Sequence, residues 1–412
     1  MALGSPGVFA ASADDEIRIG WISPQSGKLA LLANQDPYIL QLARKAVAKG
    51  ITIRDKRYRV TFLERDSQSS PSRASQLATE LITQHRIHLM LVQPTPETVN
   101  PVSDACEAAG VPSVATATPL ESFFFGRGGK LGEPSPFKWS FDFFSDAKLW
   151  VNSYLSTWGE LKTNRKVGVL YPNDADGTAF RHGFPPILEK HGYKVVDPGP
   201  YMDGTTDYSS QIELFKREDC QIFNTVGIPN DVNTFWRQAA QLHYAQKVII
   251  AQFAKAGQVP EQVAPLGPLG YNLTTAIFWT PVFPYRSPLT GMTSQQLADG
   301  YEKFASRLWN GQVGPSMALA EVGIAALKGA KDPTSRSAIR DAIATLDVVT
   351  TVGRVNFKAG PYPNTATSPI IGVQWAKPES GSKFPLRCLT VEHVNDTDVP
   401  IQRKLVPYTL NL

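Results

Sequence analysis

The strongest constraint on this chain is a strand–loop–helix unit that opens it and then recurs. Ile17, Arg18, Ile19, Gly20, Trp21 and Ile22 make a short β-type run that breaks at Ser23-Pro24-Gln25-Ser26-Gly27, and a helical pattern follows over 29–49. Strands at 58–63, 88–92 and 111–115 come next. They end in loops containing Asp66, Pro94-Thr95-Pro96-Glu97-Thr98 and Thr116-Ala117-Thr118-Pro119. A second series has strands at 166–171, 193–196, 221–226 and 247–251, alternating with helical segments that include 207–216 and 232–243. Strands alternating with helices fold through right-handed crossovers into parallel sheets. In open sheets of this kind, ligands sit in the loops at the carboxyl ends of the strands. Here those loops carry Ser, Thr and Pro, with no nucleophile–base pairing and no His/Cys cluster. That pattern points to binding rather than catalysis.

A chain of 412 residues is long for one core. Two βα series, with strand-like segments at 140–143, 280–283 and 353–355 reading as crossovers, predict an α/β protein. It has two Rossmann-like lobes with parallel sheets, joined by three hinge crossovers. The expected partition is residues 16–139 plus 281–351 for lobe 1 and 140–280 plus 352–412 for lobe 2. A net charge of +4 with no Lys/Arg run argues against nucleic acid as a partner. Ala11-Ser12-Ala13 is a small-x-small site of the kind cut from exported proteins, so residues 1–15 read as the stub of an export signal or as a tail. No segment approaches the roughly 18 apolar residues of a membrane span. Cys106, Cys220 and Cys388 are too widely spaced for a disulfide framework and read as buried free thiols, with one bridge as the alternative.

Several motifs imitate chemical sites and fail on context. The loop from Gly126 to Gly132 lacks the Ser/Thr that follows the lysine of a phosphate loop, and Pro134 blocks a long helix. His85 and His88 lack the glutamate of a zinc helix, and Ser380-Gly381-Ser382-Lys383 lies in a Gly/Ser loop. No catalytic residue, metal or cofactor is therefore expected. The hydroxyls of Thr95, Thr98, Thr116 and Thr118, with a helix starting near Glu97, can hold a carboxylate. Ordinary turn and cap chemistry explains the same residues. Trp21, Phe253 and Trp279 are candidate flat walls, or else core. Asp174 and Asp176 are candidate ammonium partners, or else turn formers before Gly177.

These residues in this order resemble the type I periplasmic solute-binding proteins of ABC importers, in the leucine/isoleucine/valine-binding branch. The resemblance rests on Gly20-Trp21-Ile22-Ser23-Pro24-Gln25-Ser26-Gly27, on Asp66, and on the run from Pro101 to Pro112. It continues through 221–239, Gly353-Arg354-Val355-Asn356-Phe357 and Gly372-Val373-Gln374-Trp375, so it covers nearly everything from Glu16 to Lys377. It implies a monomeric periplasmic receptor, not an enzyme, which closes on a small solute and docks on a membrane permease. The same fold coupled to a regulator is the second reading, and an α/β enzyme the third. It also implies ligand contacts from Thr95–Thr98 and from Thr116, Ala117 and Thr118. The second lobe is implied to add Asp174, Asp176, Gly227, Ile228, Gln252 and Phe253. Amino-acid binders of this branch carry an aromatic residue where Ile228 stands and an acidic one near Gln252 and Phe253. Without these, an α-ammonium needs Asp174, Asp176 or Asp231, and a less cationic solute, such as an aromatic or aliphatic carboxylate or an amide, gains ground.

Overall fold

The computed structural model describes residues 16–408; the expected export-signal stub, residues 1–15, lies outside them. The strands are β1 (Glu16–Ser23), β2 (Ile51–Ile53), β3 (Lys56–Asp66), β4 (Leu89–Val92), β5 (Ser113–Thr116) and β6 (Ser140–Phe144). They continue with β7 (Lys166–Leu170), β8 (Lys194–Val196), β9 (Ile222–Thr225), β10 (Ile250–Phe253) and β11 (Thr274–Ile277). The last five are β12 (Asp347–Thr350), β13 (Gly353–Asn356), β14 (Thr365–Thr367), β15 (Ile371–Ala376) and β16 (Arg387–Glu392).

Two seven-stranded sheets result, ordered β14-β6-β5-β4-β1-β3-β2 and β16-β15-β11-β10-β9-β7-β8. Both are parallel except towards one edge, where β2 pairs antiparallel with β3 in the first sheet and β15 pairs antiparallel with both β11 and β16 in the second. β4, β5, β9 and β10 are buried at every residue, as expected of parallel strands with helices on both faces. Local chemistry sets the helix starts: Ser70 accepts the Arg73 N–H ahead of Pro71, and Asp174 accepts the Gly177 N–H at 2.6 Å.

Strand pairing moves two of the expected lobe boundaries. Ser113 faces Ser140 and Thr116 faces Phe143, so β6 is the sixth strand of the first sheet rather than a crossover. β14 adds beside it, Thr365 opposite Asp142. Residues 353–355 form a hairpin with β12 and do not cross between lobes. The chain changes lobes at 145–146, again between β11 and helix Ser294–Ala305, and finally at 368–370, where the Ser368 N–H bonds to the Phe144 carbonyl at 2.9 Å. A five-residue strand-like run reads the same whether it crosses or pairs; only its partner strand, distant in sequence, decides. The last described residue is also anchored, in the second lobe. Tyr408 accepts the Trp236 indole N–H at 3.0 Å and donates to the Leu269 carbonyl.

One buried polar knot sits behind the first sheet. Trp21 Nε1 donates to Asp36 Oδ2 at 2.9 Å, and Gln93 and Ser316 donate to Asp36 Oδ1. Burial pushes the Asp36 carboxyl up to about 6, against these hydrogen bonds. A raised folded value means the fold gains from protonation. This group's contribution is complete below about 4 and is lost as pH rises through about 6. Asp36→Asn should therefore gain on the wild type in melting temperature as pH climbs from 4 to 7. A difference that stays constant across that range in thermal melts would show that the carboxyl titrates normally.

Candidate ligand-binding cleft

The loops at the carboxyl ends of the two sheets face one another and are in contact. Leu29 and Leu32 from the first lobe pack on Ile228 and Val259 from the second. Lys28 pairs with Asp203 at 2.6 Å, and Ser122 donates to Asp176 Oδ1 at 3.0 Å. Gln312 Nε2 reaches Gln258 Oε1 at 3.1 Å on the side of the cleft near the hinges. The lobes are therefore closed. Between them lies a cavity of about 30 Å³, room for roughly two waters.

Its walls are aromatic. Phe144 ends β6 and Phe278 follows β11, and their rings lie 4.1 Å apart beside two of the crossovers. Trp150, on helix Ala147–Gly159, packs edge-on against Phe278 at 5.7 Å and against Phe180 of helix Ala175–Lys190 at 5.6 Å. The polar lining comes from Thr95, Asp176, Lys255, Gln258 and Gln312. The hydroxyl of Thr95, the indole nitrogen of Trp150 and Oε1 of Gln312 are buried without hydrogen-bond partners. The cleft thus offers a hydroxyl, an N–H donor and a carbonyl acceptor. Thr95 and Ala117, both lining the cavity, hold φ of 66° and 57°, and the Thr95 N–H bonds to the Ala117 carbonyl at 3.0 Å. Left-handed backbone at two facing non-glycine residues costs on the order of 1–3 kcal/mol each and clusters at ligand clamps.

A model of the periplasmic binding protein family matches residues 16–381. The chain belongs to the periplasmic binding protein family. Its fold matches solved structures throughout. A leucine-binding protein from Thermotoga maritima aligns with a TM-score of 0.73 at 14% identity, over 93% of this chain and 99% of the other. An isoleucine complex of a branched-chain amino acid transporter substrate-binding protein from Streptococcus pneumoniae gives 0.69 at 16%, over 95% and 99%. A solute-binding protein of an ABC transporter from Rhodopseudomonas palustris, in complex with 3,4-dihydroxybenzoic acid, gives 0.74 at 15%, over 94% and 99%. Among the described residues of this periplasmic binding protein, no helix is long and apolar enough to cross a membrane.

The family frame locates each residue that the sequence singled out. Thr95, Ala117 and Asp176 line the cavity. Glu97 stands in the first turn of helix Pro96–Ala109, within the field of Lys255. Thr118 is buried with an unpartnered hydroxyl beside Ala117, and Ile228 belongs to the apolar contact that joins the lobes. Thr98 is buried one turn inside its helix. Thr116 spends its hydroxyl on the Phe143 carbonyl at 2.8 Å. The Gly227 N–H caps onto Thr225 Oγ1, and a Cβ there would collide with the Tyr201 hydroxyl.

Four expectations are corrected. Trp21 faces the Asp36 knot, and Trp279 donates to Ser294 Oγ at 3.0 Å inside lobe 1. Phe253 packs on Phe223 and Trp236. Gln252 lies inside the second sheet, accepting the Trp158 indole N–H. None of the four lines the cavity.

The residues that do form the walls, Phe144, Trp150, Phe180 and Phe278, carried no sequence motif; Phe144 and Phe278 stand at strand ends, whereas Trp150 and Phe180 lie inside helices and gave no signal. Lys255 likewise follows a strand end, two residues past β10 in the loop the fold reserves for ligands. Its ammonium pairs with Asp176 and lies 3.9 Å from Asp174. Burial pulls the Lys255 ammonium down, but Asp176, Glu97 and Asp174 together outweigh it and hold it above its ordinary value. Burial pushes the Asp176 carboxyl up, and Lys255 opposes that push. Glu97 is held below its ordinary value: burial raises it, and Lys255, local hydrogen bonds and Lys28 together outweigh that.

Proposed function

We propose that this protein is an extracytoplasmic receptor, not an enzyme, that captures a small carboxylate with an uncharged, preferably aromatic body. It works as a monomer in the periplasm and hands the solute to the permease of an ABC transporter. Family membership supports the receptor role. One observation carries the solute class. The carboxylate that an amino acid's ammonium needs, Asp176, is already paired with the protein's own Lys255. Asp174 caps a helix, and Asp231 accepts the Gly204 N–H away from the cavity. An added ammonium would meet Lys255 as a like charge in a buried site, which costs several kcal/mol. A carboxylate finds the Thr95 hydroxyl and the Trp150 N–H beside the Lys255–Asp176 pair, while Phe144, Phe180 and Phe278 flank a flat ring. The solved relatives hold both amino acids and a dihydroxybenzoate, so the fold alone does not choose between them.

A thermal-shift panel tests this. Benzoate and hydroxybenzoates should raise the melting temperature, with about 2.7 kcal/mol of stabilisation at 100 times the dissociation constant. Leucine and isoleucine should leave it unchanged. Shifts from α-amino acids alone would overturn the solute class and leave the receptor role standing.

A further inference from the structure

The end of the first sheet opposite the cleft carries an open groove of about 790 Å³, and Arg18, Arg86, His88 and Arg336 line it. Arg18 stands near the start of β1, His88 directly precedes β4, and Arg336 opens helix Arg336–Ala344. The segment 86–88 gathers them. Arg18 Nη2 donates to the Arg86 carbonyl at 3.4 Å, and Arg336 Nε and Nη2 donate to the Ile87 carbonyl at 3.1 and 2.9 Å. These acceptors are neutral, so they fix the guanidiniums in place and leave their charges uncancelled. Among the described residues, no carboxylate lies within ion-pair distance of Arg86 or Arg336. Arg18 Nη1 meets Glu16 Oε2 at 3.5 Å, but Arg59 at 3.6 Å and the Thr61 hydroxyl at 2.7 Å share that carboxylate. Three guanidiniums therefore face one acid that is already divided. Arg18 Nε is moreover buried without a partner. His88 adds a further donor. Its Nδ1 accepts the Arg18 N–H at 3.0 Å, so the neutral ring carries its proton on Nε2. Burial, Arg18 and Arg336 hold this imidazole below its ordinary value, and Glu16 opposes them.

We infer that this groove binds a tetrahedral oxyanion carrying two negative charges, a phosphate or sulfate group. Guanidinium forks recognise such an ion through paired, charge-assisted hydrogen bonds, and its oxygens point to all sides, where arginines from three segments can meet them. A carboxylate brings a single charge and oxygens on one side only, so it leaves more of the groove's positive charge unmatched. The groove shares no residue with the cavity between the lobes, so the anion and the solute do not compete.

Proton NMR of the histidine rings tests this on the full chain. His88, one of six histidines, is assigned by its absence from the His88→Asn spectrum. Sodium phosphate and sodium sulfate should each raise the His88 pKa by about 1 above its value in sodium chloride of equal ionic strength, because a bound anion favours the charged ring. The same signal followed at fixed pH gives the affinity. Arg336→Gln and Arg86→Gln should each weaken phosphate about tenfold, the worth of one hydrogen bond to a charged group. Arg86 is exposed, so its variant gives the answer should Arg336→Gln fold poorly. A His88 pKa that is the same in all three salts reflects charge screening alone and overturns the site. Phosphate affinity that survives both arginine variants overturns it as well.

Discussion

Lys255→Met is expected to cost about 3–5 kcal/mol of stability at pH 8, because it leaves Asp176 buried without its counter-ion and beside Glu97 and Asp174. The loss should shrink as pH falls toward 5. Burial already pushes the Asp176 carboxyl up to about 6. Without Lys255 it rises further, and a protonated Asp176 needs no partner. A group raised in the folded state favours the fold at low pH and penalises it as pH rises through its folded value. The double variant Lys255→Met/Asp176→Asn should recover most of the stability, since both charges are gone, but not the affinity for a carboxylate. Thermal melts of the wild type, both single variants and the double variant give the coupling directly. A double variant as unstable as the sum of its parts would show that the two residues do not act as a pair. Recovered carboxylate affinity in it would show that Lys255 does not face the solute.

Adjacent residues after β11 should behave oppositely. Trp279 packs against Trp309 at 6.0 Å and over Gly314, far inside lobe 1. Trp279→Ala should cost about 3–5 kcal/mol, and the molecules that remain folded should bind solute as the wild type does. Phe278 lines the cavity. Phe278→Leu keeps most of the volume and should cost under about 1.5 kcal/mol in stability. It should still weaken an aromatic solute by about 0.5–1.5 kcal/mol, the worth of a lost ring pair, and leave an aliphatic one less affected. Calorimetry on both proteins at a temperature where each is folded decides the matter. Weakened binding in Trp279→Ala with none in Phe278→Leu would return the wall to the residue that the sequence alone favoured.

The contrast shows where local pattern stops being informative. Alternating strands and helices, Ser70-Pro71 at a helix start and the Ser/Thr/Pro loops after β1, β4 and β5 are short-range features. Hydrogen bonding and backbone preference within a few residues specify them. They were enough for a two-lobed α/β fold and for the family, and they singled out Thr95, Ala117 and Asp176, which line the cavity. They were not enough to choose between Phe278 and Trp279, or between Phe253 and Lys255. A side chain's direction depends on which face of its sheet meets which helix, and a shift of one residue reverses it.

What the sequence by itself determined, then, is the kind of most of the elements and the loops that end at the cleft. Tertiary structure alone decided the rest. Phe144 and Phe278 meet because β6 and β11 end at neighbouring crossovers, and Trp150 and Phe180 join them from two helices of the second lobe. Lys255 reaches Asp176 from a different strand's loop, across 79 positions of chain, so no local pattern could reveal that the acidic partner expected for a solute was already taken. Pairing with distant strands likewise turned 140–143 from a supposed hinge into a strand of the first sheet. Contacts of that range are set by how whole faces bury against each other, and burial carries no direction that a single segment can encode.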